Sequence, residues 1–361
     1  MIKKAGILTI FLSLLLFNVY ANNNLANTTK TEQETSESTK LKPDEVILDH
    51  IVDAYEWHIF TIGHTHISIP LPVILYSEHS GLHIFCSSKL HHGHGKYLNF
   101  RIQETKPYKG KIVEVLPDGS IYRPWDLSIS KTVFATFISM LLMLWIFLAA
   151  AKRYKQNPLS PPKGIQSFVE PVIFFIKDEV AKPSIGEKKY EKYLPFLLTI
   201  FFFIWINNMM GLIPIFPAGA NVTGNITVTG SLALFTFLIT TFSGNKHYWK
   251  EIFNPEVPWW LKFPLPLIPL IEFTGIFIKP IVLMIRLFAN ISAGHIVMLG
   301  FFTLIFVFGQ MHPALGYGVS VFSVLFTVFL SLLELLVAFI QAYVFTLLSA
   351  IYFGMATAEH N

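Results

Sequence analysis

Pro280-Ile-Val-Leu-Met-Ile-Arg286-Leu-Phe-Ala-Asn290-Ile-Ser-Ala-Gly294-His295-Ile-Val-Met298 is an apolar, helix-length stretch with an arginine near its middle. An arginine does not shed its proton in a protein. Seating one at bilayer depth costs about 2.5 to 3.5 kcal/mol on insertion scales, so it persists only where it faces a bundle interior or an aqueous cavity and has a task there. A positive charge that never titrates, set beside groups that do, suits a device that moves ions.

The remainder of the chain agrees with a membrane setting. Of 361 residues, 53% are hydrophobic and only 14% charged, with 34 phenylalanines and a mean hydropathy of +0.52. Soluble domains average about 25% charged residues, so this is an integral membrane protein. The net charge of +4 is small and clusters near segment ends, which argues against a nucleic-acid partner. A single cysteine, Cys86, excludes an intrachain disulfide framework. Nothing in the pattern calls for a cofactor.

Residues 1–21 read as a signal peptide. Lys3 and Lys4 form the charged start, Ile7 to Leu16 a short apolar core, and Val19-Tyr20-Ala21 a small-residue cleavage site. Residues 22–44 are polar and nearly free of large apolar side chains, which predicts a disordered tether. From 45 to 125, short β-branched or aromatic runs (58–62, 66–69, 73–76, 111–115) alternate with turn residues such as Pro117-Asp118-Gly119. This predicts a small β-rich, histidine-rich domain outside the cytoplasm.

Residues 126–358 form the membrane domain. Thr132 to Ala151 is a first span, and Lys152, Arg153 and Lys155 behind it place its end in the cytoplasm. Residues 164–181 are amphipathic and fit a helix along the cytoplasmic surface. Tyr193 to Ile213 and Ile226 to Ser243 make a hairpin, and Lys246, His247, Lys250 and Lys262 mark the return to the cytoplasmic side. Two apolar segments follow, about 264–308 and 317–355, with Gly309 to Gly316 as the expected turn. Each exceeds the roughly 20 residues needed to cross, so they are tilted, bent or interrupted, with prolines at 264, 266, 269 and 280 favouring a bend early in the first. The predicted fold is therefore a polytopic α-helical membrane protein with about five membrane helices, the last two long and tilted. To these are added a cytoplasmic-surface amphipathic helix and a small β-rich extracytoplasmic N-terminal domain, with the C-terminus in the cytoplasm.

Five groups inside the last two helices need explaining: Glu272, Arg286, His295, Glu334 and Gln341. At 100° and about 1.5 Å per residue, Glu272 lies roughly 21 Å before Arg286 on nearly the same face, shared by Asn290. Glu334 and Gln341 are co-facial. His295 falls on nearly the opposite side of an ideal helix from Arg286. Because the two helices run in opposite directions, levelling Arg286 with Gln341 also levels His295 with Glu334 nearer the outer side. An outer limb through His295 and Glu334 and an inner limb near Glu272 would then flank Arg286.

Arg286-Leu-Phe-Ala-Asn290-Ile-Ser-Ala-Gly294-His295 resembles the most specific segment of subunit a of the F-type ATP synthase. Glu272 and Lys279-Pro280 stand at that family's spacing, Gln341 with Glu334 seven residues before it resembles the final helix, and Asn207 to Pro214 resembles its Asn-x-x-x-x-x-x-Pro stretch. In some members the two outer positions carry Glu and His in the reverse order. The resemblance spans roughly residues 126 to 358, with a longer Arg286-to-Gln341 separation than in many relatives, and is silent about the β-rich domain. It implies a non-catalytic stator subunit of a bacterial inner-membrane proton motor. Its implied partners are a c-subunit ring, a b-subunit stalk, the remaining ATP synthase subunits, membrane lipid and translocated H⁺. By the same resemblance Arg286 separates two offset half-channels and drives proton release from ring carboxylates, and Gln341 holds its guanidinium.

Nine of the 13 histidines fall between His50 and His94. His64 with His66, and His91 with His94, have spacings that can share a metal. They lack ordered carboxylate or thiolate companions, so the adopted reading is a titrating histidine surface without a fixed metal. A proton- or metal-coupled secondary transporter predicts internal repeats, which the sequence does not show. A membrane metalloenzyme requires a His-x-x-x-His or Glu-adjacent pair within the spans, which is likewise missing.

Overall fold

The computed structural model describes residues 53–62, 65–93, 95–103, 105, 107–156, 161–213, 219–253 and 267–358. The expected signal peptide and tether lie outside these residues, as do His64 and His94 and the side chains of His66 and His91.

The first described unit is built from short strands. β1 (Glu56–Ile62) and β2 (Thr65–Pro70) form an antiparallel hairpin. β3 (Pro72–Ser77) is central in a three-stranded antiparallel sheet between β4 (Gly81–Cys86) and β9 (Trp125–Asp126). Four more strands, β5 (Lys96–Tyr97), β6 (Phe100–Ile102), β7 (Ile112–Val115) and β8 (Ile121–Tyr122), form an antiparallel meander. Val73 and Leu75 from β3, Phe85 from β4, Phe100 from β6 and Ile112 from β7 pack with Tyr55 and Leu90 as one core. The expected runs fall within β1, β2 and β3, and the fourth overlaps β7 apart from Lys111. The turn at Pro117-Asp118-Gly119 is closed by Gly119 in the left-handed region (φ 82°) and by Asp118 Oδ1 accepting from the Ser120 N–H at 2.9 Å.

This unit is fastened to the first long helix, α1 (Lys131–Gln156). Asp53 Oδ1 accepts from the Thr132 N–H at 2.9 Å, satisfying one of the donors that a helix start leaves open. Trp57 meets Phe134 edge-on at 6.0 Å, and the Lys131 ammonium lies 5.6 Å above the Trp57 ring.

Beyond α1 come α2 (Ile165–Phe175), a π-helical turn (Ile176–Ala181) and α3 (Lys182–Ile185). The expected amphipathic stretch thus continues past 181, and Val169, Ile176 and Val180 are buried in the main core. α4 (Tyr190–Leu212) and α5 (Ile226–Ser243) are the middle spans. The Asn225 side chain caps α5 by accepting from the Thr227 N–H at 2.9 Å. The short α6 (Lys246–Phe253) precedes the two longest helices, α7 (Leu267–Met311) and α8 (Pro313–Thr357), each of 45 residues. Among the described residues, five helices are long and apolar enough to cross a membrane: α1, α4, α5, α7 and α8.

At 1.5 Å per residue α7 and α8 are each about 67 Å long, more than twice a hydrocarbon core of about 30 Å. The break between them is much shorter than the expected turn from Gly309 to Gly316. Both helices run on until His312, whose ring Nδ1 accepts from the Ala314 N–H at 3.2 Å, with Pro313 opening α8. The two glycines are helical instead. A Cβ on Gly316 would come within 2.7 Å of the Gly309 Cα, so they let two helix backbones close on each other at the hairpin tip. Pro280 likewise lies within α7, which continues through it.

Candidate functional site

The antiparallel α7–α8 hairpin sets the register of every intramembrane polar group. Near the tip Phe301 packs on Phe326, with ring centroids 4.7 Å apart. Next, the Ser331 hydroxyl donates to Met298 Sδ at 3.4 Å. One turn further, His295 Nδ1 stands 3.4 Å from Glu334 Oε1. The same register carried on brings Arg286 and Gln341 to similar depth.

His295 and Glu334 therefore meet, although His295 lies off the Arg286 face on an ideal helix. Gly294 removes the obstacle. A Cβ there would sit 2.8 Å from Glu334 Oε1 and 3.0 Å from its Cδ, so the glutamate crosses α7 over bare backbone to reach the histidine. On the other side His295 faces α4, where a Cβ on Gly211 would be 3.7 Å from His295 Nε2, an ordinary contact. Glu334 is 6% exposed, and its Oε1 has no hydrogen-bond donor among the described residues. Substituting Gly294 with valine is expected to push the Glu334 carboxylate off His295 and to destabilise the α7–α8 hairpin, because the added atoms have no free volume to enter. A thermal melt of the purified chain measures it, and an unchanged melting temperature would contradict this packing.

Polar contacts also tie together the helices that carry the pair. Asn208 on α4 donates to the Ala338 carbonyl at 3.1 Å and accepts from the Thr223 hydroxyl, tying α4 to α8 and to the segment before α5. Ser292 donates to the Gly224 carbonyl at 3.4 Å. Toward the tip of α8, Ser323 and Thr327 are buried, and neither hydroxyl oxygen has a partner among the described residues. Ser323, Thr327, Ser331 and Glu334 follow at helical spacing, making a stripe of hydroxyls that ends at the carboxylate.

On the other side of the Arg286 level, the side chains differ in kind. Glu272, Lys279 and Arg286 recur every seven residues on α7, hence on nearly one face. Lys279 Nζ lies 5.9 Å from the Tyr352 ring, and both line a small groove with Thr240, Tyr248, Ile276 and Pro280. Burial raises the Tyr248 hydroxyl above its ordinary pKa, and the nearby Glu272 charge raises it further. Glu272 thus belongs to the neighbourhood of α6 and this groove.

Arg286 itself is exposed, as is Asn290. Its neighbours Leu283, Leu287 and Ile291 turn inward to the core, while Ile281, Val282 and Ile285 face outward. Among the described residues no hydrogen bond or ion pair engages the guanidinium. Gln341 is 7% exposed, and no hydrogen bond joins it to Arg286. Also among the described residues, no group of three or more His, Cys, Asp or Glu could hold a metal. Ser323, Thr327, Thr223, Tyr248 and Tyr352 were not singled out from sequence, and only their helical spacing to Glu334 would have marked the first two.

Five apolar helices with ionisable groups set at depth among them define a multi-pass membrane protein. The family model of the ATP synthase A chain matches residues 133–354, and a domain of unknown function (DUF8433) matches residues 46–127. The chain is 40% identical over 259 residues to ATP synthase subunit a of Chloroherpeton thalassium, covering 68% of this chain and 73% of that one. It is 42% identical over 257 residues to ATP synthase subunit a 2 of Chlorobaculum tepidum, covering 68% and 69%. Against ATP synthase subunit a of Myxococcus xanthus it is 40% identical over 255 residues, covering 69% and 78%. The chain belongs to the subunit a family of the F-type ATP synthase, and so is a membrane component of that complex rather than a free-standing enzyme.

Proposed function

We propose that this chain is the stator half of a membrane proton motor, with two offset half-channels divided by Arg286. The observation that carries the reading is the Arg286 guanidinium set in an exposed apolar face of α7, with no ion-pair partner among the described residues. A desolvated cation of this kind calls for an anion from a partner. A ring of c subunits with one carboxylate per lipid-facing helix supplies it.

In this mechanism a proton enters along the hydroxyl stripe of Ser323 and Thr327. These buried groups have open hydrogen-bonding capacity that bridging water can fill. It reaches the His295–Glu334 pair, where two titratable groups 3.4 Å apart can pass it between them. From there it neutralises a ring carboxylate, which can then move into lipid. After nearly a full turn the carboxylate meets the inner groove, and Arg286 favours its ionised form and hence proton release. The proton leaves past Tyr352, Lys279 and Tyr248 toward Glu272. Arg286 accepts no proton, so none crosses directly between the limbs. Asn290 and Gln341 lie close to Arg286 in depth without bonding to it here, and in this reading they engage the guanidinium once the ring docks.

The α7–α8 hairpin lies steeply tilted beside the ring, the N-terminal domain lies outside the cytoplasm, and α2 runs at the cytoplasmic surface. The ring contact is tested by cross-linking in a Cys86→Ser background. Cysteines at Val282 and Ile285 are expected to form disulfides with cysteines on the ring's outer helix, whereas one at buried Leu197 on α4 is not. Cross-links from Leu197 alone would contradict the proposed docking face.

A further inference from the structure

An antiparallel sheet packed on one face commonly shows water a polar opposite face. The sheet β4-β3-β9 does not. Its inner side carries Val73, Leu75 and Phe85 into the domain core. Its outer side presents Ile74 and Tyr76 on β3 and Leu82 and Ile84 on β4. Leu127 and Ile129 extend that side, because the Leu127 N–H donates to the Ile74 carbonyl at 2.9 Å and the Ile129 N–H to the Pro72 carbonyl at 3.1 Å. Ile84 is 67% and Leu82 60% exposed, more than any other large apolar side chain described in the domain. By contrast, the four-stranded sheet pairs exposed Lys96 with exposed Arg101. A contiguous apolar patch of this kind marks an interaction surface.

Position identifies its partner. The segment that follows β9, carrying Leu127 and Ile129, enters α1 at Lys131 with only Ser130 between. At about 3.3 Å per residue, Leu127 lies within roughly 13 Å of the start of the span. The apolar face is therefore close to the start of α1, a helix long and apolar enough to span, on which Phe137, Leu141 and Leu148 are exposed. The domain is also held against α1, since Asp53 caps the helix and Trp57 packs on Phe134. We propose that this sheet face rests on the lipid surface of the outer leaflet beside α1, so that the domain is seated on the membrane. Tyr76, with an apolar ring and a polar tip, suits the headgroup level.

Cys86 provides the probe, being the only cysteine and lying on the same side of β4 as Leu82 and Ile84. The full chain, reconstituted in phosphatidylcholine vesicles, is labelled there with an environment-sensitive fluorophore. A nitroxide carried at the lipid headgroup is expected to quench it several-fold more than a water-soluble nitroxide. Adding Leu82→Glu and Ile84→Glu should reverse that preference, whereas Lys96→Glu on the other sheet should not. Stronger quenching from water in the unsubstituted chain would overturn the proposal. So would protection from both quenchers, which would mean that protein covers the face.

Discussion

Replacing Arg286 with alanine is expected to abolish ATP synthesis driven by a proton gradient and to open a passive proton leak. Two roles are lost at once. Without the guanidinium, the cation level with the proposed docking face is gone and Lys279 stands about two turns away, so proton release from the ring carboxylate in the inner limb is expected to fail. Without a charge that refuses protons, the His295–Glu334 level and the Tyr352–Lys279 groove are no longer insulated from each other. The gradient supplies only about 2.3 kcal/mol per charge for each 100 mV, so even a modest leak removes the several protons needed per ATP. Arg286→Lys is expected to retain little coupling, because lysine is a compact ammonium whose pKa falls when desolvated. ATP synthesis and passive proton flux in the same vesicles provide the check. Vesicles that keep normal ATP-driven acidification after Arg286→Ala would refute this role.

The second large effect concerns His295 and Glu334 as a unit. Alanine at either position is expected to remove most proton pumping, because each leaves the other buried without its exchange partner. The exchanged double variant, His295→Glu with Glu334→His, should retain more activity than either single alanine. The contact at 3.4 Å is a relation between two groups rather than a property of either. One steric reservation is built into the site: Gly294 lies under the Glu334 side chain, and a glutamate issuing from α7 must find a different route. Partial rather than full recovery is therefore expected. An exchange as damaging as the single substitutions would count against the pairing.

The legible parts of this chain are those in which local pattern and tertiary role coincide. Ile226 to Ser243 is apolar, preceded by an Asn cap and followed by Gly244, and it forms a helix with those ends. Val73 to Tyr76 is a short β-branched and aromatic run bounded by turn residues, and it lies within β3. Gly309 and Gly316 misled because glycine's local meaning is a turn, while here its missing side chain lets two helices touch. Gly294 was hidden for the same reason: sequence places His295 off its face, and only packing reveals a glutamate crossing over a glycine. Ser323 and Thr327 escaped notice because hydroxyls in membrane helices ordinarily bond back to their own carbonyls, as Thr346 and Ser349 do at 2.8 Å. The groove of Tyr248, Lys279 and Tyr352 draws on α6, α7 and α8, and no linear pattern joins them.

The division of the membrane domain into two limbs is most directly tested by sided chemical access. In a Cys86→Ser chain assembled with its ring, single cysteines replace Ser323 and Thr327 along the hydroxyl stripe, and Thr240 and Glu272 on the inner side. A membrane-impermeant thiol reagent is then applied to one face of the vesicle at a time. Modification of Ser323→Cys and Thr327→Cys from the extracytoplasmic face alone, and of Thr240→Cys and Glu272→Cys from the cytoplasmic face alone, is the predicted result. Reaction of all four positions from the same face would contradict two half-channels divided at Arg286.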